Sequence, residues 1–287
     1  MKVNILKLKP IDYAEILRGV SPPLRKLYWA GADLGEIIAK PRVAIVGSRK
    51  ATNYGRTITQ DLAGKLARSD VVIISGLAFG VDSYAHKAAL EAGGCTIAVL
   101  PSSLEEIYPA SHYNLADQIL KNGGALVSEY PPKTDVRKEN FIARNRIVSA
   151  LADVLVITEA AKNSGSLHTA RFALEQGKTV MAVPGNINNP ISEGCNNLIK
   201  SGAIPVTDVS DIFFALKIKP QASMTAKDFQ GSAAEQMVFG LITDGVQDQE
   251  ALALQSNMSV PEISSTLTIL ELRGYIRPTG GGSWTIA

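Results

Sequence analysis

The amino-acid sequence predicts a doubly wound α/β domain followed by a small domain of three helices and a β-hairpin. Two observations support this fold class. Six short apolar runs rich in β-branched residues recur before residue 185, and turn-forming Gly, Ser or Pro residues follow them. Beyond residue 231 the pattern changes to three helical stretches and then two short strands, which is typical of a winged helix.

The six apolar runs predict strands that are buried on both faces of a mostly parallel sheet. They occupy residues 43–46, 71–74, 96–100, 125–127, 154–157 and 179–183. Between the first two runs, Ile58, Leu62 and Leu66 recur four residues apart, as on one face of a helix. Strands that alternate with helices give a sheet covered on both faces, and the ligands of such sheets bind at the carboxyl ends of the strands.

The remaining segments complete the predicted domain organisation. Residues 1–20 are expected to be an N-terminal leader that is helical or weakly ordered, and residues 27–31 an edge strand. We expect the α/β domain over residues 21–217, a linker of little periodicity over 218–231, and the winged-helix domain over 232–287. In the last domain the predicted helices and strands cover residues 233–243, 249–256, 260–273, 275–277 and 283–286.

The charge of the chain is nearly balanced but unevenly distributed. The 29 Lys and Arg residues face 27 Asp and Glu residues, a net charge of +2, which excludes a histone-like polycation and an acidic disordered tail. From residue 227 onward there are 3 basic and 7 acidic residues, which leaves 26 basic and 20 acidic residues before it. A basic body favours a polyanionic partner, whereas an acidic tail disfavours one.

The cysteine and apolar content indicates a cytoplasmic protein. Cys95 and Cys195 lie far apart without a CxxC motif, so neither a disulfide framework nor a structural zinc site is expected. Lysines interrupt the only early apolar stretch, which argues against a signal peptide, and the longest apolar runs are too short to span a bilayer.

The turn after the first strand is the first candidate site. It begins with Gly47, Ser48, Arg49 and Lys50 and leads into a helix, so its backbone N–H groups and the Arg49 guanidinium are suited to bind a phosphate. The alternative is an ordinary turn with a surface arginine. A dinucleotide fingerprint would need glycine in place of Arg49 and Thr52, which disfavours NAD, and no cofactor is expected.

A glycine-containing loop follows the second strand and forms the second candidate site. Gly76 and Gly80 lie four residues apart, which suits an anion-binding loop rich in N–H groups. Asp82 is predicted to cap the helix that follows. His86, one turn into that helix, is predicted to be a hydrogen-bonded structural histidine rather than a general base.

The third candidate site is the start of a helix in which basic groups alternate with an aromatic residue. Its members are Lys138, Phe141, Arg144, Asn145 and Arg146. Cations for phosphates and an aromatic ring for base stacking are typical of single-strand binding. The alternative is a solvated helix start with Phe141 in the core. Because Arg144 and Arg146 point in different directions on a helix, one of them can be structural.

The fourth candidate site, Ser164, Gly165 and Ser166, opens the next helix. These residues form either another anion-binding nest or a simple N-cap. No Ser/His/Asp triad and no metal-ligand spacing can be assembled from three histidines and two cysteines, so neither catalytic residues nor a metal site are predicted.

Taken in order, these segments resemble the DNA-processing protein A family (DprA, also called Smf). The matching residues are 44–49, 75–78, Asp82 with 85–86, 107–109, 128–130, Phe141 with 144–146, 164–167 with 169–170, and 183–185. The ordered set is specific, although each segment alone is a weak signal. The sequence departs from the family pattern at Phe79, where the family usually has an arginine or a similar residue, and residues 270–275 resemble the family's C-terminal winged helix.

The resemblance implies an extended Rossmann-like domain that is not an enzyme. Members of the family bind and protect single-stranded DNA and help to load the RecA recombinase in natural transformation (competence) and homologous recombination, and they form homodimers through this domain. The resemblance places DNA in a pocket with Arg49, Lys138 and Phe141, beside Gly47 and Ser48.

Two other functions are alternatives to single-stranded DNA binding. A nucleotide-processing enzyme of the phosphoribohydrolase type would need Gly-Gly-x-Gly-Thr-x-x-Glu after a strand, but residues 163–171 hold one glycine and no glutamate. A duplex-reading factor would use the helix over 260–273, which offers Glu262 and Glu271 against Arg273. A protein-interaction role for the winged helix is therefore preferred.

Overall fold

The computed structural model describes residues 4–7, 17, 19–24, 26–134, 136–219, 229 and 231–286. The chain divides into two compact units, Met1–Pro220 and Gln221–Ala287. Most of the linker predicted over residues 218–231, and most of the leader predicted over 1–20, lie outside the described residues.

The described part of the first unit contains one nine-stranded sheet. Its strands are β1 (Asn4–Lys7), β2 (Lys26–Gly31), β3 (Arg42–Val46), β4 (Val72–Ser75), β5 (Thr96–Val99), β6 (Ala125–Ser128), β7 (Val154–Ile157), β8 (Thr179–Ala182) and β9 (Ile204–Pro205). They lie in the order β1-β2-β6-β5-β4-β3-β7-β8-β9, parallel from β6 to β9. The predicted fold class is confirmed, and the chain order changes direction between β3 and β7.

Eight described helices cover this sheet on both faces. They are α1 (Leu34–Ile38), α2 (Asn53–Arg68), α3 (Val81–Glu91), α4 (Tyr113–Lys121), α5 (Lys138–Leu151), α6 (Ser166–Glu175), α7 (Glu193–Lys200) and α8 (Val209–Leu216). Alternate residues of β3 enter opposite cores, since Ala44 packs with Ile147 of α5 and Ile45 packs with Leu62 of α2. No helix among the described residues is long and apolar enough to cross a membrane.

The structure corrects two predictions for the N-terminal region. Residues 4–7 form a strand rather than a helix, and β1 pairs antiparallel with β2, with Ile5 opposite Tyr28. The predicted edge strand, β2, therefore lies inside the sheet between β1 and β6. Lysines flank the few apolar residues of β1, so the sequence carries no isolated apolar run that marks a strand there.

The second unit folds as the predicted winged helix. Its elements are α9 (Ala233–Thr243), α10 (Gln249–Ser256), α11 (Val260–Leu272), β10 (Ile276–Gly280) and β11 (Ser283–Ile286). Phe229 packs against the Phe239 ring, with centroids 4.7 Å apart, and edge-on against Tyr275. This aromatic cluster joins the segment before α9 to the core of the unit.

The second unit uses two of its acidic residues to begin helices. Glu235 and Glu262 each complete a capping box, the first with Ser232 at the start of α9 and the second with Ser259 at the start of α11. Glu235 also contacts Arg273 at 3.0 Å. Part of the acidic excess of this unit therefore stabilises its fold.

The contact between β2 and β6 can be tested at a glycine. Gly31 has a φ of +110°, and an added Cβ would collide with the backbone carbonyl oxygen of Gly124, whereas Gly93 has a φ of +72° and open space around it. We expect Gly93→Ala to cost about 1 kcal/mol of backbone strain and Gly31→Ala about 1–3 kcal/mol more. Equal melting temperatures of the two variants in calorimetry would contradict this packing.

Candidate nucleic-acid interface

Three loops at the carboxyl edge of the sheet, together with α5, enclose a cleft of about 170 Å³. The loops follow β3, β4 and β5, the places where sheets of this kind bind ligands. The lining residues are Arg49, Leu77, Ala78, Phe79, Pro101, Tyr108, Pro109, Phe141 and Arg144. The fold thus brings Arg49 of the first candidate site together with Phe141 and Arg144 of the third.

Three of the nine residues that line this cleft are aromatic. The Phe141 and Tyr108 rings meet edge-on with centroids 5.2 Å apart, and Phe79 meets His112 in the same way at 4.7 Å. Phe79 and Tyr108 are each about half exposed. The Arg49 guanidinium carbon lies 5.1 Å from the centroid of Phe141. Exposed rings beside a planar cation suit base stacking with charge stabilisation.

The floor of the cleft is built on Gly76 and two buried charged groups. A Cβ at Gly76 would collide with the Asp82 carboxylate and the Arg144 guanidinium, so only glycine fits there. Arg144 also donates a hydrogen bond to the carbonyl of Val99. Burial raises the pKa of Asp82 and lowers the pKa of Arg144, and each group's charge opposes the change in the other.

Asp82 does not cap α3 as predicted. The helix begins after Gly80, and the Asp82 carboxylate turns back to accept a hydrogen bond from the N–H of Ala78 at 3.3 Å. This geometry follows from the nearby Arg144 charge, which attracts the carboxylate toward the loop instead of the helix end. Asp82 therefore fixes the loop after β4.

His86 supports the same floor, and its predicted structural role is confirmed. Its Nδ1 lies 2.6 Å from the Thr96 hydroxyl, and its Nε2 lies 2.5 Å from the carbonyl oxygen of Gly76. Burial lowers the pKa of His86 to about 4, so the ring is neutral at neutral pH. A neutral ring with Nε2–H donating to Gly76 holds the loop without adding charge to the cleft.

The amino end of α2, where a phosphate was expected, is filled by the protein itself. The Glu159 carboxylate accepts hydrogen bonds from the Thr52 N–H at 2.8 Å and from its hydroxyl at 2.5 Å. The Ser48 N–H donates to the Glu159 carbonyl at 2.7 Å, and a Cβ at Gly47 would approach that carbonyl too closely. The N–H groups of Ser48 and Thr52 are therefore bonded within the protein, and the turn exposes the side chains of Arg49 and Lys50.

The other predicted site residues are not among the residues that line the cleft. Lys138 is exposed at the first position of α5. The Asn145 amide donates to the carbonyl of Gly165 at 3.4 Å, which links the third and fourth candidate sites. The Ser164 and Ser166 hydroxyls lie 2.8 Å apart, and α6 begins after Gly165 without a side-chain cap.

The structure gives Arg146 a different position from the one predicted. Its side chain is buried, forms an ion pair with Glu129 and donates to the carbonyl of Pro22 at 2.7 Å. Two residues along a helix correspond to a rotation of about 200°, so Arg144 and Arg146 cannot reach the same cleft. Arg146 is the structural member of this pair of arginines.

Sequence reasoning did not select the Phe79 and Tyr108 rings or the Glu159 carboxylate as site residues. Phe79 lies between Gly76 and Gly80, and Tyr108 belongs to the family-like segment 107–109. The positions of both residues in the sequence could therefore have identified them as site residues. Glu159 is the second residue after β7, where a buried carboxylate at the end of a central strand has a specific partner. Among the described residues, no cluster of His, Cys, Asp and Glu is arranged to hold a metal ion.

Comparison with known proteins identifies relatives over most of the chain. The family model described as DNA recombination-mediator protein A matches residues 4–217, and the model of the DprA winged helix domain matches residues 221–282. Protein Smf of Escherichia coli K12 is 42% identical over 249 residues, which cover 84% of this chain and 67% of that protein. The chain spans about two thirds of the length of such curated relatives.

Two solved structures are similar to this chain. DNA processing protein A from Streptococcus pneumoniae has a TM-score of 0.67 and 36% identity, and the match covers 74% of each chain. DNA processing protein A from Helicobacter pylori, described for its unique single-stranded DNA binding mode, has a TM-score of 0.67 and 34% identity. That match covers 75% of this chain and 96% of the other.

The neutral His86 predicts a pH-dependent stability. Its pKa of about 4 in the folded protein lies below its ordinary value of 6.5, so the unfolded chain takes up the proton first as the pH falls. The stabilisation is complete above pH 6.5 and is lost toward pH 4, up to about 3 kcal/mol. Melting temperatures measured from pH 7 to 4 should fall more steeply for the natural protein than for His86→Gln. Parallel profiles would contradict a buried neutral ring.

The ion pair between Arg146 and Glu129 leads to a second prediction about stability. Arg146→Met leaves Glu129 buried without its cation, and we expect a loss of about 3–5 kcal/mol in the free energy of unfolding. Because Glu129→Gln removes the stranded charge, the double variant should recover much of this loss in urea unfolding. A variant that unfolds normally yet binds nucleic acid poorly would instead place Arg146 at the interface.

Proposed function

The chain belongs to the DNA recombination-mediator protein A family, and we propose that it binds single-stranded DNA in the cleft between Arg49 and Phe141. The observation that carries this proposal is the Arg49 guanidinium 5.1 Å from the Phe141 ring, with Phe79 and Tyr108 half exposed in the same cleft. The single-stranded DNA binding described for the Helicobacter pylori relative supports it.

The chemistry of the cleft favours stacking and charge over reading of base edges. A base that enters it meets aromatic faces, which accept every base because each base has a π-face. Arg49 lines the cleft, and exposed Lys50 and Lys138 stand next to Arg49 and three residues before Phe141 in the sequence, so these cations are suited to contact the phosphates. Binding should therefore depend strongly on salt and weakly on sequence.

The same cleft is poorly suited to catalysis. Both ring nitrogens of His86 are engaged, and the Asp82 carboxylate is buried beside Arg144. The family description, DNA recombination-mediator protein A, names no catalytic activity, and we propose that the chain is not an enzyme. Release of base from AMP by the purified protein would revive the phosphoribohydrolase alternative.

The wider role rests on the family. Because its members are described as recombination mediators, we include protection of single strands and loading of the RecA recombinase in natural transformation and homologous recombination within the proposal. Homodimerisation through the Rossmann-like domain and a cytoplasmic location complete it. Light scattering of the full chain and RecA loading on strands coated with a single-strand-binding protein test the two assembly steps.

For the winged helix we propose a protein partner rather than duplex DNA. Glu262 is exposed in the first turn of α11, and its hydrogen bonds with Ser259 lower the pKa of its carboxyl, so it remains charged. Arg273, at the other end of the helix, contacts Glu235. A negative charge at the leading turn of α11 repels the phosphates that a groove-reading helix must approach.

Substitutions in the cleft test the DNA-binding proposal. Arg49→Ala and Phe141→Ala should each weaken binding of a thymidine oligonucleotide by roughly 5- to 100-fold, since the loss of one stacking or cation contact costs about 1–3 kcal/mol. Lys138→Ala should lower the slope of log affinity against log salt by about 0.7 if it contacts one phosphate. Fluorescence anisotropy over a salt series measures both effects.

Arg171→Ala is the matched control. Arg171 is an exposed arginine on α6 that pairs with Glu175 at 2.8 Å and does not line the cleft. Its removal changes the net charge as Arg49→Ala does, so it should leave affinity within about twofold because one distant charge is largely screened. Equal losses for Arg49→Ala and Arg171→Ala would show a diffuse charge effect and overturn the assignment of the cleft.

A further inference from the structure

A second opening of about 370 Å³ lies at the carboxyl edge of the same sheet, away from the Arg49 cleft. It lies between the first turn of α2 and the loop that follows β8. The lining residues are Tyr54, Pro184, Gly185, Asn186, Asn189 and Ser192. Neither the proposed DNA contacts nor the family-like segments explain the asparagines of this loop.

One wall of this opening is a fixed aromatic ring. Tyr54 stands at the start of α2, and its hydroxyl donates to the carbonyl of Pro184 at 2.9 Å. The ring nevertheless remains 47% exposed. A ring that is tied down at its polar end and open along its side is a prepared stacking surface, because little side-chain entropy is lost when a ligand packs on it.

The opposite wall offers hydrogen-bond donors. The side-chain oxygen of Asn186 accepts from the N–H of Asn188 at 2.9 Å, and that of Asn189 accepts from the N–H of Ile191 at 3.1 Å. With these oxygens engaged, the two NH₂ groups are what the asparagines can present to a ligand. The Asn196 side chain accepts a hydrogen bond from the Gly185 N–H at 3.1 Å and donates one to the Gly185 carbonyl at 3.0 Å, and this pair of bonds stiffens the loop.

The composition of the opening selects the class of ligand. None of the six described residues that line it carries a charge, so it gives no strong attraction to a phosphate or a metal ion. A flat π-surface opposite amide donors fits an uncharged, planar group with carbonyl acceptors. A nucleobase such as thymine, cytosine or guanine has these properties.

The opening is also placed to receive a base from the strand in the Arg49 cleft. The two clefts stand over β4 and β8, which are separated by β3 and β7, a distance of about 14 Å at about 4.8 Å per strand. Arg49 and Tyr54 belong to one short segment, and exposed Lys50 lies between them in the sequence as a contact for the intervening phosphates. We infer that this opening is a second base-binding subsite for the same single strand, an inference that rests on the proposed function.

Binding as a function of strand length tests this inference. A thymidine strand of about 4 nucleotides occupies one cleft, and one of about 12 can reach both. Tyr54→Leu and Asn189→Asp should bind the short strand as the natural protein does and lose about five- to tenfold in affinity for the long one. Asn189→Asp keeps the oxygen that accepts from Ile191 but exchanges the donors for a negative charge.

Two control variants accompany them. Tyr54→Phe keeps the ring and should retain most of the gain in affinity with length. Asn188→Asp puts the same new charge in the same loop on a residue that does not line the opening, and it should lose less affinity than Asn189→Asp because it removes no donor from the opening. Thermal melting confirms that all four variants are folded.

The results separate this subsite from the proposed function. If Arg49→Ala abolishes binding of both strands while Tyr54→Leu leaves the length dependence unchanged, the first cleft stands and the second subsite is wrong. Photo-crosslinking of a long strand that carries 5-iodouracil gives a direct readout, with a crosslink at Tyr54 expected and crosslinks confined to Tyr108, Phe141 or Phe79 contradicting it. If the natural protein binds neither strand, both proposals fail.

Discussion

The buried charges of Asp82 and Arg144 beside Gly76 are the constraint on which the cleft between Arg49 and Phe141 depends. Asp82 belongs to α3 and Arg144 to α5, and Arg144 also bonds to the end of β5, so four elements converge on one glycine at the end of β4. His86 fastens the same glycine from below through its carbonyl. Burying ionised groups is costly unless each is compensated, and here the compensation requires these elements to keep one arrangement. This arrangement in turn positions the aromatic residues that line the cleft, Phe79, Tyr108 and Phe141.

The sequence was most informative where apolar residues are periodic. The six apolar runs mark the central strands, and the helix that opens at Lys138 begins where alternation of charged and apolar residues predicts. It was least informative at the margin of the sheet. β1 has few apolar residues beside its lysines, and β9 is only the two residues Ile204 and Pro205; both form strands because a neighbouring edge offers hydrogen-bond partners. No local pattern encodes such a partner.

The candidate site shows the same division. Arg49 and Phe141 were selected because they stand at strand ends or in a basic, aromatic stretch, and the fold brings them into one cleft. Which of Arg144 and Arg146 faces that cleft depends on the rotation of α5 against the sheet, and distant partners fix it: Val99 for Arg144, and Glu129 and Pro22 for Arg146. At the start of α2, where the sequence predicts a phosphate, the Thr52 N–H is bonded to the Glu159 carboxylate instead. Local sequence could not predict this bond because Glu159 lies far away in the sequence.

The position of Glu159 affects which ligands can bind at the carboxyl edge of the sheet. At the point between β3 and β7 where sheets of this type usually hold a mononucleotide or dinucleotide, this protein presents a carboxylate whose charge repels a free nucleotide's phosphates. A free nucleotide is therefore disfavoured at this point of the sheet. Under the proposed function, a strand of nucleic acid would place its bases on either side of this point and gain from several weak contacts at once. On that proposal, the internal carboxylate favours a polynucleotide over a free nucleotide.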